Sequence, residues 1–215
     1  MYKEISCYDK DTTEHTVQEA IFTALEYGFG GVSVPSYYLP LANSLIPAGF
    51  VVASSVDYPG GLSSLNVKCH STINLIRAGA NSIDLVANSN LLINRKFKKF
   101  RQDIESNYRI CKDNNCSLRV MLEYRAYDKN SLIAAACDII RDVGVDYVFP
   151  STGSMIDVLD DAILVGFFLQ QKQQLNVICN ANIWKSEDYE KVEKSSIFGV
   201  RIKNINAVKN IFGVL

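Results

Sequence analysis

Short apolar runs alternate with longer amphipathic stretches along the whole chain, and this alternation is the feature that most limits its fold. The pattern is typical of parallel strands joined by crossover helices. The 215 residues accommodate eight such units of about 27 residues each, which is the size range of a minimal barrel. We therefore predict one (β/α)8 TIM-barrel domain over residues 1–215, with strands at residues 4–8, 31–34, 50–56, 82–86, 118–123, 147–149, 176–179 and 198–202.

Residues 118–123 show the period that separates the two faces of a strand. Arg119, Met121 and Glu123 alternate with aliphatic residues, so they share one face. Between positions 97 and 111, apolar residues recur at three- and four-residue steps, which predicts a helix with one apolar face. The five cations among residues 94–101 then form the solvated face of this helix rather than a contact for nucleic acid.

Composition and charge argue against several classes of partner. The formal net charge is −1, so no global field attracts nucleic acid or an anionic membrane. No apolar run approaches the roughly 18 residues of a membrane span, and the first residues lack a signal-peptide pattern, which predicts a cytoplasmic protein. The six cysteines lack paired zinc spacing, which predicts reduced thiols.

Several segments of the chain match one known family in order and spacing. Residues 78–88 read Ala-Gly-Ala-Asn-Ser-Ile-Asp-Leu-Val-Ala-Asn, residues 118–123 read Leu-Arg-Val-Met-Leu-Glu, and residues 146–153 read Asp-Tyr-Val-Phe-Pro-Ser-Thr-Gly. Together they resemble segments of the deoxyribose-phosphate aldolases. The resemblance implies a TIM barrel of the aldolase type that acts as a lyase on a sugar phosphate without a cofactor.

The chain departs from the family where the chemistry takes place. In the aldolases, a lysine on strand six attacks a carbonyl to form an imine, and a second lysine on strand seven tunes the first. Phe149 and Ile178 stand at these two positions. The family's phosphate-binding glycine and hydroxyl residues on strands seven and eight are also replaced. These departures predict a barrel mouth that is more apolar than that of an aldolase.

Asp84 matches the aspartate that relays protons in the aldolases, and Arg119 matches a family lysine on the neighbouring strand. A buried aspartate at the end of a central strand requires a partner, and Arg119 is the candidate. Two interpretations stay open. Asp84 is either a retained acid and base, or one half of a buried ion pair that holds the barrel together.

Other candidate residues are weaker. Lys203 ends strand eight and is the alternative imine-forming lysine, whereas Lys68 and Lys185 fall on a helix and in a loop. Cys179 ends strand seven and is either a nucleophile or a packed, inert thiol. A metal centre is not expected, because His15 and His70 both fall in predicted helices. Proposed ligand-binding residues, from the resemblance and from strand alternation, are Ser151, Thr152, Arg201 and Lys203.

The functional prediction has a first form and an alternative. First, the chain is an aldolase-like barrel without class I activity, which binds a small ligand or acts as a regulatory or partner subunit, as a homodimer or paired with an active paralogue. Alternatively, it is an enzyme acting on 2-deoxyribose 5-phosphate or a related sugar phosphate. That enzyme would use a different lysine, or would work without an imine through Asp84, Arg119, Glu123 and Cys179.

Overall fold

Eight parallel strands close into a barrel, each hydrogen-bonded to its neighbours in sequence, and the first pairs with the last. The structure is a computed structural model that describes residues 1–127, 130–155 and 157–213. The predicted TIM barrel is confirmed. The strands are β1 Tyr2–Ser6, β2 Gly31–Ser33, β3 Val51–Val56, β4 Ser82–Val86, β5 Ser117–Met121, β6 Tyr147–Phe149, β7 Asn176–Cys179 and β8 Gly199–Ile202.

Helices follow the strands and cover the outside of the barrel. The α-helices are α1 Glu14–Glu26, α2 Leu39–Leu45, α3 Leu65–Arg77, α4 Ser89–Ile93, α5 Phe97–Asp113, α6 Asn130–Val143, α7 Leu159–Gln173, α8 Ser186–Lys194 and α9 Ile205–Phe212. Short 3₁₀ helices span Ser36–Tyr38 and Tyr124–Ala126. The apolar face predicted for residues 97–111 is confirmed, because Phe100, Ile104 and Cys111 of α5 are buried. Arg95, Lys96, Lys98 and Lys99 of the cation-rich segment are exposed.

Strand β1 begins and ends two residues before the predicted range of 4–8. Its amino end is extended by pairing with β8, where Tyr2 lies opposite Gly199. At this point the Tyr2 side chain lies so close to Gly199 that a Cβ there would contact the tyrosine backbone and ring. A shift of two residues leaves each side chain on its predicted face. Glu4, now in the middle of β1, is fully buried in the barrel interior.

Four charged side chains fill the middle of the barrel. Glu4, Asp84, Arg119 and Arg201 are at most 3% exposed, and they form a closed ring in which the charges alternate. Arg119 donates through Nε to Asp84 Oδ1 and through Nη1 to Glu4 Oε2, both at 2.7 Å. Arg201 donates through Nε to Glu4 and through Nη2 to Asp84, both at 2.5 Å. Each carboxylate therefore binds both guanidinium groups.

The ring is balanced in charge and supported by neighbouring hydroxyl groups. Tyr2 donates to Glu4 at 2.7 Å, and Ser33 donates to Asp84 at 3.2 Å. Burial alone would raise the pKa of the Glu4 carboxyl, but Arg119 and Arg201 outweigh this effect and hold the pKa at about 2. Isolated charges in such an interior would each cost several kcal/mol, so the four groups depend on one another.

Aromatic residues line the amino-terminal end of the barrel below the ring. The Phe198 ring lies 5.9 Å from that of Tyr2 and 5.4 Å from that of Tyr147, centroid to centroid. They border a cavity of about 120 Å³ that Ile178 and Arg119 also line.

The ring predicts how the free energy of unfolding depends on pH. Glu4 titrates near its ordinary 4.5 when unfolded and at about 2 when folded, so its stabilisation is complete above about pH 4.5 and is lost towards pH 2. We expect Glu4→Gln to lower the free energy of unfolding by about 3–5 kcal/mol at pH 6. The gap between wild type and variant should shrink below pH 4.5, as measured by urea unfolding.

Glu105→Gln is the matched control, because Glu105 forms an exposed i,i+4 pair with Arg109 on α5. Its effect should stay below about 0.5 kcal/mol. A Glu4→Gln gap that is equally small, or that does not change with pH, would contradict the role assigned to the ring.

Candidate functional site

A polar cavity of about 260 Å³ opens at the carboxyl ends of the strands. This is the end of a TIM barrel at which loops after the strands build active sites. The residues that line it come from β1, β3, β6, β7, β8 and the loops after them: Ser6, Tyr8, Asp9, Ser55, Tyr58, Thr152, Gly153, Ser154, Asn180, Arg201 and Lys203. We call it the mouth cavity.

The mouth cavity is lined mainly by polar side chains, although the sequence predicted a mouth more apolar than that of an aldolase. Phe149 is fully buried in a layer with Val86, Met121 and Ile178, and none of these four residues lines the mouth cavity. Arg201 lines the cavity and also stacks on the Phe149 ring, with its guanidinium carbon 4.3 Å from the ring centroid. The polar side chains at the mouth come from residues at or beyond the carboxyl ends of the strands. Phe149 and Ile178 therefore lie below a polar mouth.

Asp84 is fully buried and is engaged on both oxygens. It accepts hydrogen bonds from Arg119, Arg201 and Ser33, and it does not line the mouth cavity. The predicted pair with Arg119 is present at 2.7 Å. Of the two interpretations left open by the sequence, this geometry favours the buried ion pair, which here has four members rather than two.

Arg201 and Lys203 both point inwards, which strand alternation alone left undecided. Arg201 is held by Glu4 and Asp84, so most of its charge is already matched. Lys203 lies one residue beyond β8, and its Nζ donates to the carbonyl oxygen of Gly153 and to Asn182 Oδ1, the latter at 3.3 Å. Burial, and then the charge of Arg201, lowers the pKa of the Lys203 amine.

Gly153 is what allows the loop after β6 to approach this amine. Its φ is +71°, a conformation that favours glycine, and a Cβ at this position would collide with the end of the Lys203 side chain. The Ser-Thr-Gly segment that follows β6 thus contacts a lysine from β8.

Other predicted residues shape the loops around the mouth. Glu123 accepts from the Thr152 hydroxyl at 2.7 Å, and Ser151 donates to Asp157 at 2.9 Å. Ser151 and Thr152 are almost fully buried, and of the two only Thr152 lines the cavity. The first bond fixes the loop after β6 against the end of β5, and the second joins two residues of that loop.

Cys179 lies on the other face of β7, in the outer apolar core. It is 1% exposed, and burial raises the pKa of its thiol to about 11. Of the two interpretations, this geometry favours the packed thiol, because the strand period that points Ile178 inwards points Cys179 outwards. His15 and His70 lie on α1 and α3, as predicted. Within the described ranges, no three His, Cys, Asp or Glu side chains cluster as metal ligands would.

Sequence reasoning missed several residues of the site. Glu4 belongs to the ring, and Tyr8, Tyr58 and Asn180 line the mouth. Tyr8 donates to the carbonyl of Val34, and its ring lies 5.3 Å from that of Tyr58. The available signal for Glu4 was a single charged residue on the strand face that it shares with Tyr2 and Ser6. It pointed to a buried partner without saying which.

Similar proteins place the chain in one family. A deoxyribose-phosphate aldolase from Actinobacillus succinogenes is 34% identical over 146 residues, which cover 66% of this chain and 64% of that relative. One from Mannheimia succiniciproducens is 32% identical over 146 residues, with the same coverage. These relatives support a deoxyribose-phosphate aldolase-like family for the chain. The matched stretch covers less than two thirds of these relatives' own length. No protein-family model matches the chain.

Solved structures agree on the fold of this aldolase-like chain. The deoxyribose phosphate aldolase from Aeropyrum pernix, described as a unique tetramer, superposes with a TM-score of 0.84 at 20% identity, covering 97% of this chain and 87% of that one. A protein from Coccidioides immitis, described as a deoxyribose-phosphate aldolase, gives a TM-score of 0.84 at 22% identity, covering 98% and 83%. No helix in the described ranges is long and apolar enough to span a bilayer.

The packing of Phe149 predicts that a lysine cannot simply be restored there. In Phe149→Lys, a buried ammonium would face the guanidinium groups of Arg119 and Arg201. The two carboxylates of the ring already balance these two cations, so no anion remains for a third one. We expect a loss of at least about 3 kcal/mol in the free energy of unfolding. The control Phe149→Met keeps an apolar side chain and should cost about 1–3 kcal/mol, including the lost cation–π contacts. Equal stabilities of the two variants in urea unfolding would refute this description of the interior.

Proposed function

We propose that this aldolase-like barrel binds a small polar ligand, of the sugar-phosphate class, in the mouth cavity, and does not form an imine on β6 or β7. The observation that carries the proposal is the arrangement of Phe149 beneath Arg201. The two positions at which the resemblance places lysines hold buried apolar side chains, while the cavity above them stays open and polar. The chain therefore keeps a cavity in which a ligand can bind, without an amine at the two positions that the resemblance assigns to catalysis.

The chemistry of the ring supports the absence of class I activity at these positions. Phe149 and Ile178 carry no lone pair with which to attack a carbonyl. Asp84 has no free oxygen for proton transfer, since both oxygens bind guanidinium groups. An imine-independent mechanism through Asp84, Arg119, Glu123 and Cys179 is therefore the less supported alternative.

The lining of the mouth cavity supports a ligand that carries hydroxyl groups and negative charge. Ser6, Ser55 and Tyr58 contribute hydroxyl groups, and Asn180 is an amide at the end of β7. Asn180 donates to the backbone of Ser151 and Thr152, while its buried Oδ1 has no partner among the described residues. Lys203 adds a cation that is not neutralised by an ion pair in the described part of the chain. A volume of about 260 Å³ suits a compact ligand.

A regulatory or partner subunit, as a homodimer or beside an active paralogue, is the form of this function that the outer surface supports. On α7, Leu164, Phe167 and Phe168 are 68%, 48% and 40% exposed, so this helix is apolar on its outer face as well. Contiguous exposed apolar surface is common at subunit interfaces. A purified chain that sediments as a monomer, alone and with an active aldolase, would refute this part of the proposal.

A second candidate function is a lyase acting on 2-deoxyribose 5-phosphate or a related sugar phosphate through another lysine. The observation in its favour is the presence of the Lys203 amine in the mouth cavity.

Thermal unfolding with 2-deoxyribose 5-phosphate, 2-deoxyribose and inorganic phosphate tests binding. A ligand at about 100 times its Kd stabilises the native state by about 2.7 kcal/mol, which corresponds to roughly 5–10 °C in Tm. We expect the sugar phosphate to give the largest shift. Ser55→Leu, which fills the cavity, should remove it, and the exposed Ser44→Leu on α2 should not. No shift with any of the three compounds would contradict the proposal.

A further inference from the structure

We propose that Lys203 is a reactive amine that captures small aldehydes or ketones as an imine in the mouth cavity. This inference rests on the proposed function, because it uses the same cavity. It assigns to β8 a covalent step that the resemblance places on β6. The ligand class follows from the reagent, since a neutral amine attacks carbonyl carbon.

The position of the amine is the first support. Lys203 follows Arg201 by two residues and therefore points into the barrel mouth from the same face of β8. Its Nζ is tethered to the carbonyl oxygen of Gly153 and to Asn182. Both groups accept hydrogen bonds, so they hold the nitrogen by its hydrogens and leave the lone pair of the neutral amine available.

The electrostatic surroundings are the second support. A second inward lysine, Lys68 on α3, is fully buried but is paired with Asp103 at 2.8 Å. Lys203 forms no ion pair with a carboxylate in the described ranges. The charged groups around its amine are Arg201 and the carboxylates of Asp157 and Asp9, and these two carboxylates oppose the effect of Arg201 without reversing the shift. Burial, followed by Arg201, lowers the pKa of its amine, which increases the fraction of the nucleophilic form near neutral pH.

The capture step balances without any further reagent. The Lys203 nitrogen lone pair forms a bond to the carbonyl carbon, and the π electrons move to the carbonyl oxygen. A proton passes from the nitrogen to that oxygen to give a carbinolamine. The oxygen then takes up a second proton and leaves as water, which yields the protonated imine. Tyr58 lines the cavity and keeps its proton, because burial raises its pKa, so it is available as a donor.

Reductive trapping tests the inference. The folded protein is incubated with acetaldehyde or with 2-deoxyribose 5-phosphate and then reduced with borohydride, which fixes an imine as a secondary amine. We expect one adduct per chain by intact mass, and peptide mapping should locate it on Lys203 with at least a tenfold excess over any other lysine. The yield should rise with pH to half its maximum below pH 10.5, the ordinary lysine pKa.

Three variants separate chemistry from folding. Lys203→Arg keeps a cation and the tether to Gly153 but cannot form an imine, so its adduct should be lost. Lys203→Met should lose the adduct as well. Lys185→Met removes an exposed lysine after β7 and should leave the adduct unchanged. The Tm of each variant is measured in parallel, so that unfolding is not mistaken for lost reactivity.

Each outcome decides between the two proposals. A ligand-induced rise in Tm without an adduct on Lys203 overturns the inference and leaves the proposed binding function intact. Adducts spread evenly over exposed lysines also overturn it. An absence of both adduct and thermal shift refutes the inference and the proposed function together. A single adduct on Lys203 that Lys203→Arg abolishes supports the inference.

Discussion

The ring of Glu4, Arg119, Asp84 and Arg201 is the interaction on which the rest of this barrel depends. Its four members come from β1, β4, β5 and β8, so it ties together strands from opposite sides of the sheet. None of the charges is tolerable alone in this interior, because desolvation of a single ion costs several kcal/mol. Each is buried only because the other three are present. The ring therefore acts as one unit in stability and in any change of function.

The ring also explains why the interior and the mouth of the barrel have different chemical characters. Arg201 extends from the ring to the mouth cavity and covers the ring of Phe149. Both oxygens of Asp84 are bound by guanidinium groups. The groups that line the mouth cavity lie one layer higher, and they include the Lys203 amine. A ligand can therefore contact the residues that line the mouth cavity, rather than the buried ring beneath them.

The sequence was sufficient for the architecture because the architecture depends on local periodicity. Strands β4, β6 and β7 have the predicted bounds, and the pairing of Asp84 with Arg119 follows from adjacent strands. The other three ring contacts join residues 115, 117 and 197 positions apart, and no local pattern identifies such partners. The sequence assigned Phe149 and Ile178 to the mouth, because residue identity does not reveal depth along the barrel axis. Phe149 and Asn180 lie in different layers, and only the register between strands shows this.

A double-mutant cycle on Glu4 and Arg201 tests the central claim most directly. Each single variant, Glu4→Gln or Arg201→Gln, leaves the buried ring with an unmatched charge, whereas the double variant again holds one cation and one anion. The free energy of unfolding of the double variant should exceed that of either single variant, with a coupling energy of at least about 2 kcal/mol. Additive losses from the two substitutions would show that the four charges do not act as a unit, and would contradict the account.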